Sequence, residues 1–352
     1  MNTPSERVTS RIGLALAVTF TLCFVTGLIS HLIQHPPSWF GWPSRPVWLY
    51  RVTQGTHVLS GIASIPLLLA KLWSVYPKLF ERPVLRSLPH ALERLSILVL
   101  SAAAFFELVT GLFNVAQNYP WDFYFPQLHY AVAWVAIGSI LVHIAVKLPI
   151  VRRSLTTKPE PSRRAFLRTT WLAAGVAVVA TAGATVPLLR TVSALSWRSG
   201  KGLPVNRTAE AAGVLDAAKD PNWRLSVVTP NGTKTYSLDE LRALPRTSAE
   251  LPIACVEGWS ESAHWSGVSL PDLLRHAGST PGTPVRVFSL EKAGPYGISD
   301  LPGEHTADEL TLLALELDGE VLNADHGFPC RIIAPNRPGV LQTKWVTRLE
   351  TL

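Results

Sequence analysis

Residues 128–150 read LHYAVAWVAIGSILVHIAVKLPI, an apolar run interrupted by two histidines, His129 and His143. Its length is close to the about 20 residues with which an α-helix crosses the hydrocarbon core of a membrane. Four further runs of similar length lie in the first half of the chain, at residues 12–33, 54–73, 95–116 and 170–190. Buried helices of a soluble protein seldom occur five in a row, so the sequence predicts an all-α transmembrane bundle of five spans.

The charged residues are divided unequally along the chain. Residues 1–200 contain 18 Lys and Arg against 6 Asp and Glu, whereas residues 201–352 contain 14 against 19. The excess positive charge belongs to the apolar half, which indicates a membrane rather than a nucleic acid as the partner. A hydrophobic share of 47% excludes a disordered chain. Three cysteines are too few for a disulfide framework or a four-cysteine metal site.

The basic residues of the first half lie in alternate loops, which predicts the orientation of the spans. Arg7 and Arg11 precede the first span. Between the second and third spans lie Lys71, Lys78, Arg82, Arg86 and Arg94, and between the fourth and fifth lie Lys147, Arg152, Arg153, Lys158, Arg163, Arg164 and Arg168. The opposite loops contain only Arg45 and Arg51 and many Trp, Tyr and Phe, as in an interfacial aromatic belt. The positive-inside rule then places the N-terminus in the cytoplasm and the C-terminal domain outside the cytoplasmic membrane.

The entry to the fifth span reads Ser162-Arg163-Arg164-Ala165-Phe166-Leu167-Arg168. This segment closely resembles a twin-arginine export signal, and the weakly hydrophobic span that follows is typical of one. The resemblance predicts a signal and anchor over residues 156–198 and the twin-arginine translocase as a partner during export. An ordinary basic flank of a membrane span is the alternative interpretation.

An internal repeat relates the first four spans. Val25-Thr26-Gly27-Leu28 recurs as Val109-Thr110-Gly111-Leu112, and each copy is followed by an aromatic loop and a histidine. These histidines, His57 and His129, begin the next span of each copy. A duplication of this kind places equivalent side chains around a pseudo-axis.

His143 follows His129 by fourteen residues, almost four helical turns, so both rings leave one face of the helix about 21 Å apart. The arrangement resembles four-helix dihaem b-type cytochromes and implies two haems b in residues 1–155. By that resemblance, His57 and His129 hold the outer haem iron. His143 holds the inner one, with His90 as the candidate partner. Histidines that only hydrogen-bond neighbouring helices are the alternative.

Residues 199–352 have a different character, with short β-type runs, two short helices and many loops. The predicted strands are residues 224–229, 253–256, 285–290 and 331–334. The predicted helices are residues 238–244 and 270–276. This mixture predicts an α+β domain with a single core.

Two segments of this domain carry its chemistry. The first is Leu251-Pro252-Ile253-Ala254-Cys255-Val256-Glu257-Gly258-Trp259-Ser260, followed by Trp265-Ser266-Gly267-Val268. The second contains His326-Gly327-Phe328-Pro329-Cys330-Arg331 and Lys344-Trp345-Val346-Thr347-Arg348. Together they resemble the molybdopterin-binding domain of the sulfite oxidase family, which includes a methionine-sulfoxide reductase catalytic subunit. The resemblance implies a molybdopterin cofactor.

The resemblance also implies a role for individual residues. Cys255 matches the thiolate ligand of molybdenum, a soft anionic donor for a soft metal. Arg331 and Lys344 match contacts to the pterin phosphate, for which their charges are suited. Trp265 and Tyr296 match aromatic residues that line the substrate pocket. Further cofactor contacts are implied for Asn206, Thr208, Ser289, His326, Gln342 and Thr343. A buried structural cysteine is the alternative for Cys255.

The segment after Cys255 departs from the sulfite oxidase pattern. Sulfite oxidases carry arginines there, whereas this chain has residues 257–260, which include Glu257 and no cation. We therefore predict a membrane-anchored, molybdenum-dependent oxidoreductase that transfers an oxygen atom from a small substrate, as in sulfoxide reduction. Its electrons pass through membrane haem from quinone or another donor. The alternatives are a sulfite-oxidising dehydrogenase that feeds quinone, and a non-enzymatic haem protein with a degenerate binding domain.

Overall fold

The computed structural model of the chain describes residues 6–79, 87–155, 161–196, 202–292, 294 and 296–352. It divides into two compact units, which are Met1–His31 with Thr53–Trp197, and Leu32–Val52 with Arg198–Leu352. Several residues used above lie outside the described residues, either completely or in their side chains: Lys78, Arg82, Arg86, Lys158, Ser162 and Arg163.

The first unit consists of five long helices, as the apolar runs predict. They are α1 Glu6–Gln34, α2 Leu49–Leu79, α3 Leu88–Val115, α4 Phe125–Leu155 and α5 Pro161–Thr185. Each contains a segment long and apolar enough to cross a membrane. The last helix ends earlier than the apolar run because Pro187 lacks an amide N–H, and a 3-10 turn, Pro187–Val192, follows.

The interior of the helical unit is small, and much of its apolar surface faces outward. One buried cluster joins α1, α2 and α5: Val8, Ile12, Leu67, Leu167 and Ala174. A second buried cluster takes one residue from each of the first four helices, α1, α2, α3 and α4: Phe20, Leu68, Ala104 and Ile140. By contrast, Leu98 and Leu172 remain 65% and 68% exposed. Helices that are apolar on their outer surfaces as well as inside are suited to a lipid environment.

The second unit contains two five-stranded sheets. The strands are β1 Leu225–Thr229, β2 Gly232–Tyr236, β3 Thr247–Ala254, β4 Ser260–Ser269, β5 Val285–Ser289, β6 Ile298–Leu301, β7 Leu312–Leu317, β8 Glu320–Val321, β9 Arg331–Ile333 and β10 Val346–Thr351. One sheet has the order β2-β1-β10-β5-β6, and the other has the order β3-β4-β7-β8 with β9 paired to β7. β1 and β10 are parallel, whereas the other pairs are antiparallel.

Four short helices connect the strands: α6 Leu215–Ala218, α7 Leu238–Ala243, α8 Leu270–His276 and α9 Gly303–Thr306. A core formed by side chains from both sheets and from α8 holds the unit together, including Val227, Leu273, Leu313, Ile332 and Leu349. The predicted α+β class is therefore confirmed. The sequence did not predict β4, whose first half is polar; it is a strand because β3 and β7 pair with it on both sides.

Candidate active site

Cys255 lies in a tight hairpin between β3 and β4. Its backbone N–H donates to the Trp259 carbonyl at 2.8 Å, and the Gly258 N–H donates to the Cys255 carbonyl at 3.0 Å. Gly258 has a φ of +92°, which a residue with a side chain rarely adopts. The hairpin thus fixes the cysteine backbone, and only 2% of the residue is exposed.

The Cys255 sulfur accepts two N–H groups. Asn206 Nδ2 donates to Sγ at 2.9 Å, and the Glu257 backbone N–H lies 3.5 Å from it. Trp259 Nε1 donates to Asn206 Oδ1 at 3.1 Å, which orients the amide with its nitrogen toward the sulfur. N–H donors stabilise an anionic acceptor, so these contacts favour the thiolate form that binds a metal.

A second segment packs directly behind the cysteine. Ala254 forms a parallel β-bridge with Pro338, and a Cβ placed on Gly339 would lie 3.7 Å from the Cys255 Cα and 3.0 Å from Ile253 Cγ2. A larger residue at position 339 would push the hairpin away. The hairpin therefore lies beside the segment that leads into residues 342–344.

Arg331 and Lys344 lie close together at the other end of this segment. The Arg331 guanidinium donates to the carbonyls of His326 and Gln342 at 3.0 and 3.1 Å. Lys344 Nζ donates to the carbonyls of Arg207 and Asp325 at 2.5 and 2.9 Å. Backbone carbonyls, rather than carboxylates, thus hold both cations in these contacts.

Gly327 makes room for the two cations to approach each other. Its φ is +110°, and a Cβ there would lie 3.1 Å from the Arg331 Cβ and 3.2 Å from the Lys344 Cβ. This explains in physical terms why the predicted motif has glycine after His326.

Residues 206–207 connect the sulfur to the cations. Asn206 contacts the Cys255 sulfur, and the carbonyl of the next residue, Arg207, accepts from Lys344. The structure therefore brings Cys255, Asn206, Arg331 and Lys344 into one neighbourhood, as the sequence predicts, although they are up to 138 residues apart in the chain.

Burial lowers the pKa of the cations in this region and of the neighbouring His326. It lowers the pKa of Arg331 to about 9 and that of Arg337 to about 10. Burial, and then repulsion from Arg331, lowers the pKa of Lys344 to about 7. The same two causes, with Lys344, lower the pKa of His326 to about 4, so this ring is neutral at pH 7. Buried like charges of this kind favour the binding of an anion.

Other predicted cofactor residues stabilise the backbone around the site. Ser289 Oγ donates to the Lys344 carbonyl at 2.8 Å, and Thr343 Oγ1 lies 2.6 Å from Ser299 Oγ. Gln342 Oε1 accepts the Ala334 N–H at 2.7 Å, so this side chain holds the loop before it.

The remaining predicted site residues, Thr208, Trp265 and Tyr296, differ from one another in burial and in their contacts. Thr208 Oγ1 accepts the Ala211 N–H at 3.1 Å and so begins a turn. Trp265 is fully buried, with its ring centroid 5.1 Å from the Arg331 guanidinium carbon, whereas Tyr296 is 42% exposed. Sequence reasoning missed Arg337, which is 5% exposed; its only signal was an arginine within the Pro335–Gly339 loop.

In the helical unit, the structure brings together the histidines predicted for the outer haem. The ring centroids of His57 and His129 lie 6.4 Å apart. His57 Nδ1 lies 2.8 Å from the Cys23 carbonyl, and His129 Nε2 lies 3.1 Å from Glu107 Oε2. Iron ligation through Nε2 of His129 would require the carboxylate of Glu107 to turn away.

The two copies of the repeat pack against these rings in the same way. A Cβ on Gly27 would lie 2.8 Å from His57 Cε1, and one on Gly111 would lie 3.8 Å from His129 Cε1. The contacts of the repeat glycines with equivalent histidines agree with the predicted duplication.

The histidines predicted for the inner haem lie around a carboxylate. Glu93 interacts electrostatically with both His90 and His143, and it pairs with Lys147 at 2.5 Å. His90 lies in the first turn of α3, where its backbone N–H donates to the capping Ser87 at 3.4 Å.

Parts of the chain are similar in sequence to known proteins. Residues 212–352 match the family described as oxidoreductase molybdopterin binding domain. The mitochondrial sulfite oxidase of Drosophila melanogaster is 34% identical over an alignment 142 residues long, which covers 33% of this chain and 25% of that protein. A putative protein-methionine-sulfoxide reductase subunit YedZ1 of Azospira oryzae is 32% identical over 114 residues, which are 32% of this chain and 42% of that protein. The chain therefore spans less than half the length of either relative.

A solved structure, the sulfane dehydrogenase SoxCD from Paracoccus pantotrophus, aligns with a TM-score of 0.34 at 24% identity, covering 37% of this chain and 38% of that one. The family match over residues 212–352 agrees with the molybdopterin-binding domain that their sequence predicts. This range includes Cys255, Arg331 and Lys344, whereas Asn206 and Thr208 precede it.

The chemistry of the site fits a molybdenum–pterin group. The Cys255 sulfur is held by N–H donors, as a metal thiolate requires. The Nε atoms of Arg331 and Arg337 are buried and lack a hydrogen-bond partner among the residues that the structure describes. Such donors are costly unless an acceptor such as a phosphate oxygen satisfies them.

Proposed function

We propose that the chain is a molybdenum-dependent oxidoreductase in which Cys255 is the protein ligand of the metal. The single observation that carries the proposal is the Cys255 sulfur, which accepts the Asn206 N–H at 2.9 Å, while the carbonyl of the next residue, Arg207, accepts from Lys344. A cysteine that served only packing would have no need of two N–H donors. When bound, a molybdenum–pterin group supplies two-electron oxygen-atom transfer from or to a small substrate.

The residues of the chain hold the group and set the electrostatics around it. Arg331 and Lys344 would neutralise the pterin phosphate, the arginine as a directed donor and the lysine as a compact charge. Asn206 orients a donor toward the thiolate, and the neutral His326 can accept or donate a hydrogen bond near the pterin. Ser289, Gln342 and Thr343 fix the backbone that carries these groups, and Thr208 begins the turn after Asn206.

We propose that the reaction is reduction of a sulfoxide or a similar oxidised substrate. Residues 257–260 contain Glu257 and no cation, so these residues offer no positive charge to an anion such as sulfite. Trp265 and Tyr296 would then border the substrate. Oxidation of sulfite is the second candidate, because 33% of the chain aligns at 34% identity with a sulfite oxidase.

We further propose that the helical unit is a cytochrome b-like domain of the cytoplasmic membrane that exchanges electrons with quinone or another redox partner. His57 and His129 would hold one haem, and His143 with His90 would hold another. The support is the 6.4 Å separation of the first two rings and the five apolar helices. The N-terminus would be cytoplasmic and residues 199–352 external, after export through the twin-arginine translocase with residues 156–198 as the anchor.

The test is purification of the full chain with quantification of molybdenum per chain. We expect about one molybdenum per chain in the native protein and nearly none in a Cys255→Ala variant that still folds. Cys330→Ala is the matched control, because Cys330 is also fully buried but lies in the core between the sheets. Molybdenum at full occupancy in Cys255→Ala, or its absence from the native protein, would reject the proposal.

Two further measurements separate the finer parts of the proposal. Steady-state assays with methionine sulfoxide, other S- and N-oxides and sulfite decide the direction, and fast turnover of sulfite would reject our preference. A reduced-minus-oxidised spectrum without a b-type α-band would reject the haem assignment. It would leave His57 and His129 as hydrogen-bonding groups between helices.

A further inference from the structure

Residues 32–52 comprise the last residues of α1, the connection to α2 and the first turn of α2, and they belong to the same compact unit as residues 198–352. We call this whole segment, including the helix ends with Tyr50 and Arg51, the first loop. It contains both of the arginines that the sequence places opposite the basic loops, Arg45 and Arg51. Hydrogen bonds join it to Asn336, Asp308, Ser260 and Ser262 of the domain.

Asn336 binds the first loop at its centre. Its Oδ1 accepts the Tyr50 N–H at 2.6 Å, and its Nδ2 donates to the Pro43 carbonyl at 2.7 Å. Its own carbonyl accepts Trp42 Nε1 at 2.8 Å. Asn336 is 2% exposed and has a φ of +56°, so three contacts from the loop hold a residue in an unfavourable backbone conformation.

Arg45 forms a second anchor at the edge of the domain. Its Nε and one terminal nitrogen donate to the two carboxylate oxygens of Asp308, both at 2.8 Å. This bidentate pair joins the loop to the residues just after α9, away from the cysteine hairpin in the sequence.

Arg51 forms the third anchor, and it contacts the cysteine hairpin itself. Its Nε donates to Ser260 Oγ at 2.7 Å and a terminal nitrogen donates to Ser262 Oγ at 2.8 Å. Ser260 pairs with Ala254 in the β3–β4 register, so it lies directly across from the residue before Cys255. Ser260 is 3% exposed, so this contact is made inside the unit.

The hairpin is therefore held from more than one direction. Gly339 packs against the Cys255 backbone, Asn206 donates to its sulfur, and Arg51 binds the strand at the closing end of the turn. Arg51 lies 209 residues before Ser260 in the chain, so this third contact is one that the local sequence of the hairpin does not supply.

We propose that Arg51 is a positioning residue for Cys255, and that the first loop completes the active-site unit of the domain. The role rests on the proposed function of Cys255 as the metal ligand. The guanidinium fixes two hydroxyls of β4, so the hairpin keeps the sulfur in place between its N–H donors. Loss of Arg51 would remove its hydrogen bonds to Ser260 and Ser262 and let the hairpin open, while the Asn206 N–H that donates to the sulfur stays in place.

The test measures opening of the hairpin in cofactor-free, full-length protein, through the rate at which Cys255 is alkylated. Cys330 serves as the internal reference, because it is fully buried and lies away from the loop contacts. We expect Arg51→Gln to raise the Cys255 rate about tenfold, the effect of losing one charged hydrogen bond, with no change at Cys330. Arg51→Lys should restore part of the protection.

Arg45→Gln is the matched control, since it breaks a bidentate contact of the same loop that does not touch the hairpin. Ser260→Ala approaches the contact from the other side and should raise the rate as well. The double variant Arg51→Gln/Ser260→Ala should be no faster than Arg51→Gln alone, because both changes remove the same interaction. In molybdenum-loaded protein, Arg51→Gln should also lose the metal faster on dilution.

Three results would overturn the proposal. These are an unchanged Cys255 rate in Arg51→Gln, an equal increase in Arg45→Gln, or additive effects in the double variant. An increase at Cys330 as well would show general unfolding and would also count against positioning. Because the alkylation assay needs no cofactor, its failure is distinguishable from loss of the metal-ligand role, which Cys255→Ala tests separately.

Discussion

The charge of Lys344 offers a quantitative test of the anion site, because it changes near neutral pH. Burial, and then repulsion from Arg331, holds the pKa of this amine at about 7 in the cofactor-free protein. About nine in ten amines are then charged at pH 6 and about one in ten at pH 8. A bound phosphate stabilises the charged form and raises the pKa, so binding takes up a proton and weakens as pH rises. We expect the association constant for the pterin cofactor to decrease about tenfold between pH 6 and pH 8.

The assay loads cofactor-free, full-length protein with released molybdenum–pterin cofactor at pH 6, 7 and 8 and measures molybdenum per chain. Lys344→Arg is the control, because its guanidinium stays charged throughout this range. The phosphate of the cofactor titrates in the same range, but it affects both proteins alike, so the ratio of their affinities is the quantity to compare. With a pKa of about 4, His326 does not titrate between pH 6 and 8.

The expected result is a ratio of native to Lys344→Arg affinity that decreases about tenfold over these two pH units. A ratio that does not change with pH would refute the assignment of Lys344 to the phosphate. Full affinity in Lys344→Met at pH 6 would refute it as well, since the charged amine would then contribute nothing.

Three further changes test other parts of the structure. Gly327→Ala should lower the unfolding temperature and the molybdenum content, since its φ of +110° costs an alanine about 1–3 kcal/mol; an unchanged melting curve would contradict this. Burial alone would raise the pKa of Asp308, but hydrogen bonds, chiefly from Arg45, hold it below its usual range. The contact therefore stabilises the protein above pH about 4 and is lost as the pH falls further, so native protein and Asp308→Asn should differ in melting temperature at pH 7 and converge toward pH 3. A constant difference would argue against that ion pair. Asn206→Asp places a carboxylate beside the Cys255 sulfur and should reduce bound molybdenum more than Asn206→Ala; equal occupancy in both would show that the amide contact is unimportant.

Much of the fold follows from local patterns in the sequence. Runs of about 20 apolar residues predict α1 to α5, because only a helix satisfies the backbone of such a run within the segment itself. The helix predicted over residues 270–276 is observed as Leu270–His276. β4 was missed because its residues 260–264 are polar and serine-rich, and its strand conformation depends on neighbours distant in the chain.

The candidate site was predictable where a residue type is required by chemistry. A cysteine in a Gly-Trp turn and the cations Arg331 and Lys344 were identified from their motifs, and the structure places them around residues 206–207. The contacts of Arg51 had no such signal. An arginine near the start of a predicted span has the pattern of an interfacial residue, and nothing local indicates that Ser260 is its partner.

The sequence alone therefore determined the five apolar helices, the α+β class of the C-terminal domain and the side chains suited to a metal and a phosphate. Those properties depend on residue type and on spacing within a few turns or strands. Only the tertiary structure decided which distant groups meet, such as Asn206 with Cys255 and Arg51 with Ser260. Contacts of this kind depend on how the sheets and loops pack together, and no periodicity within a single segment encodes that packing.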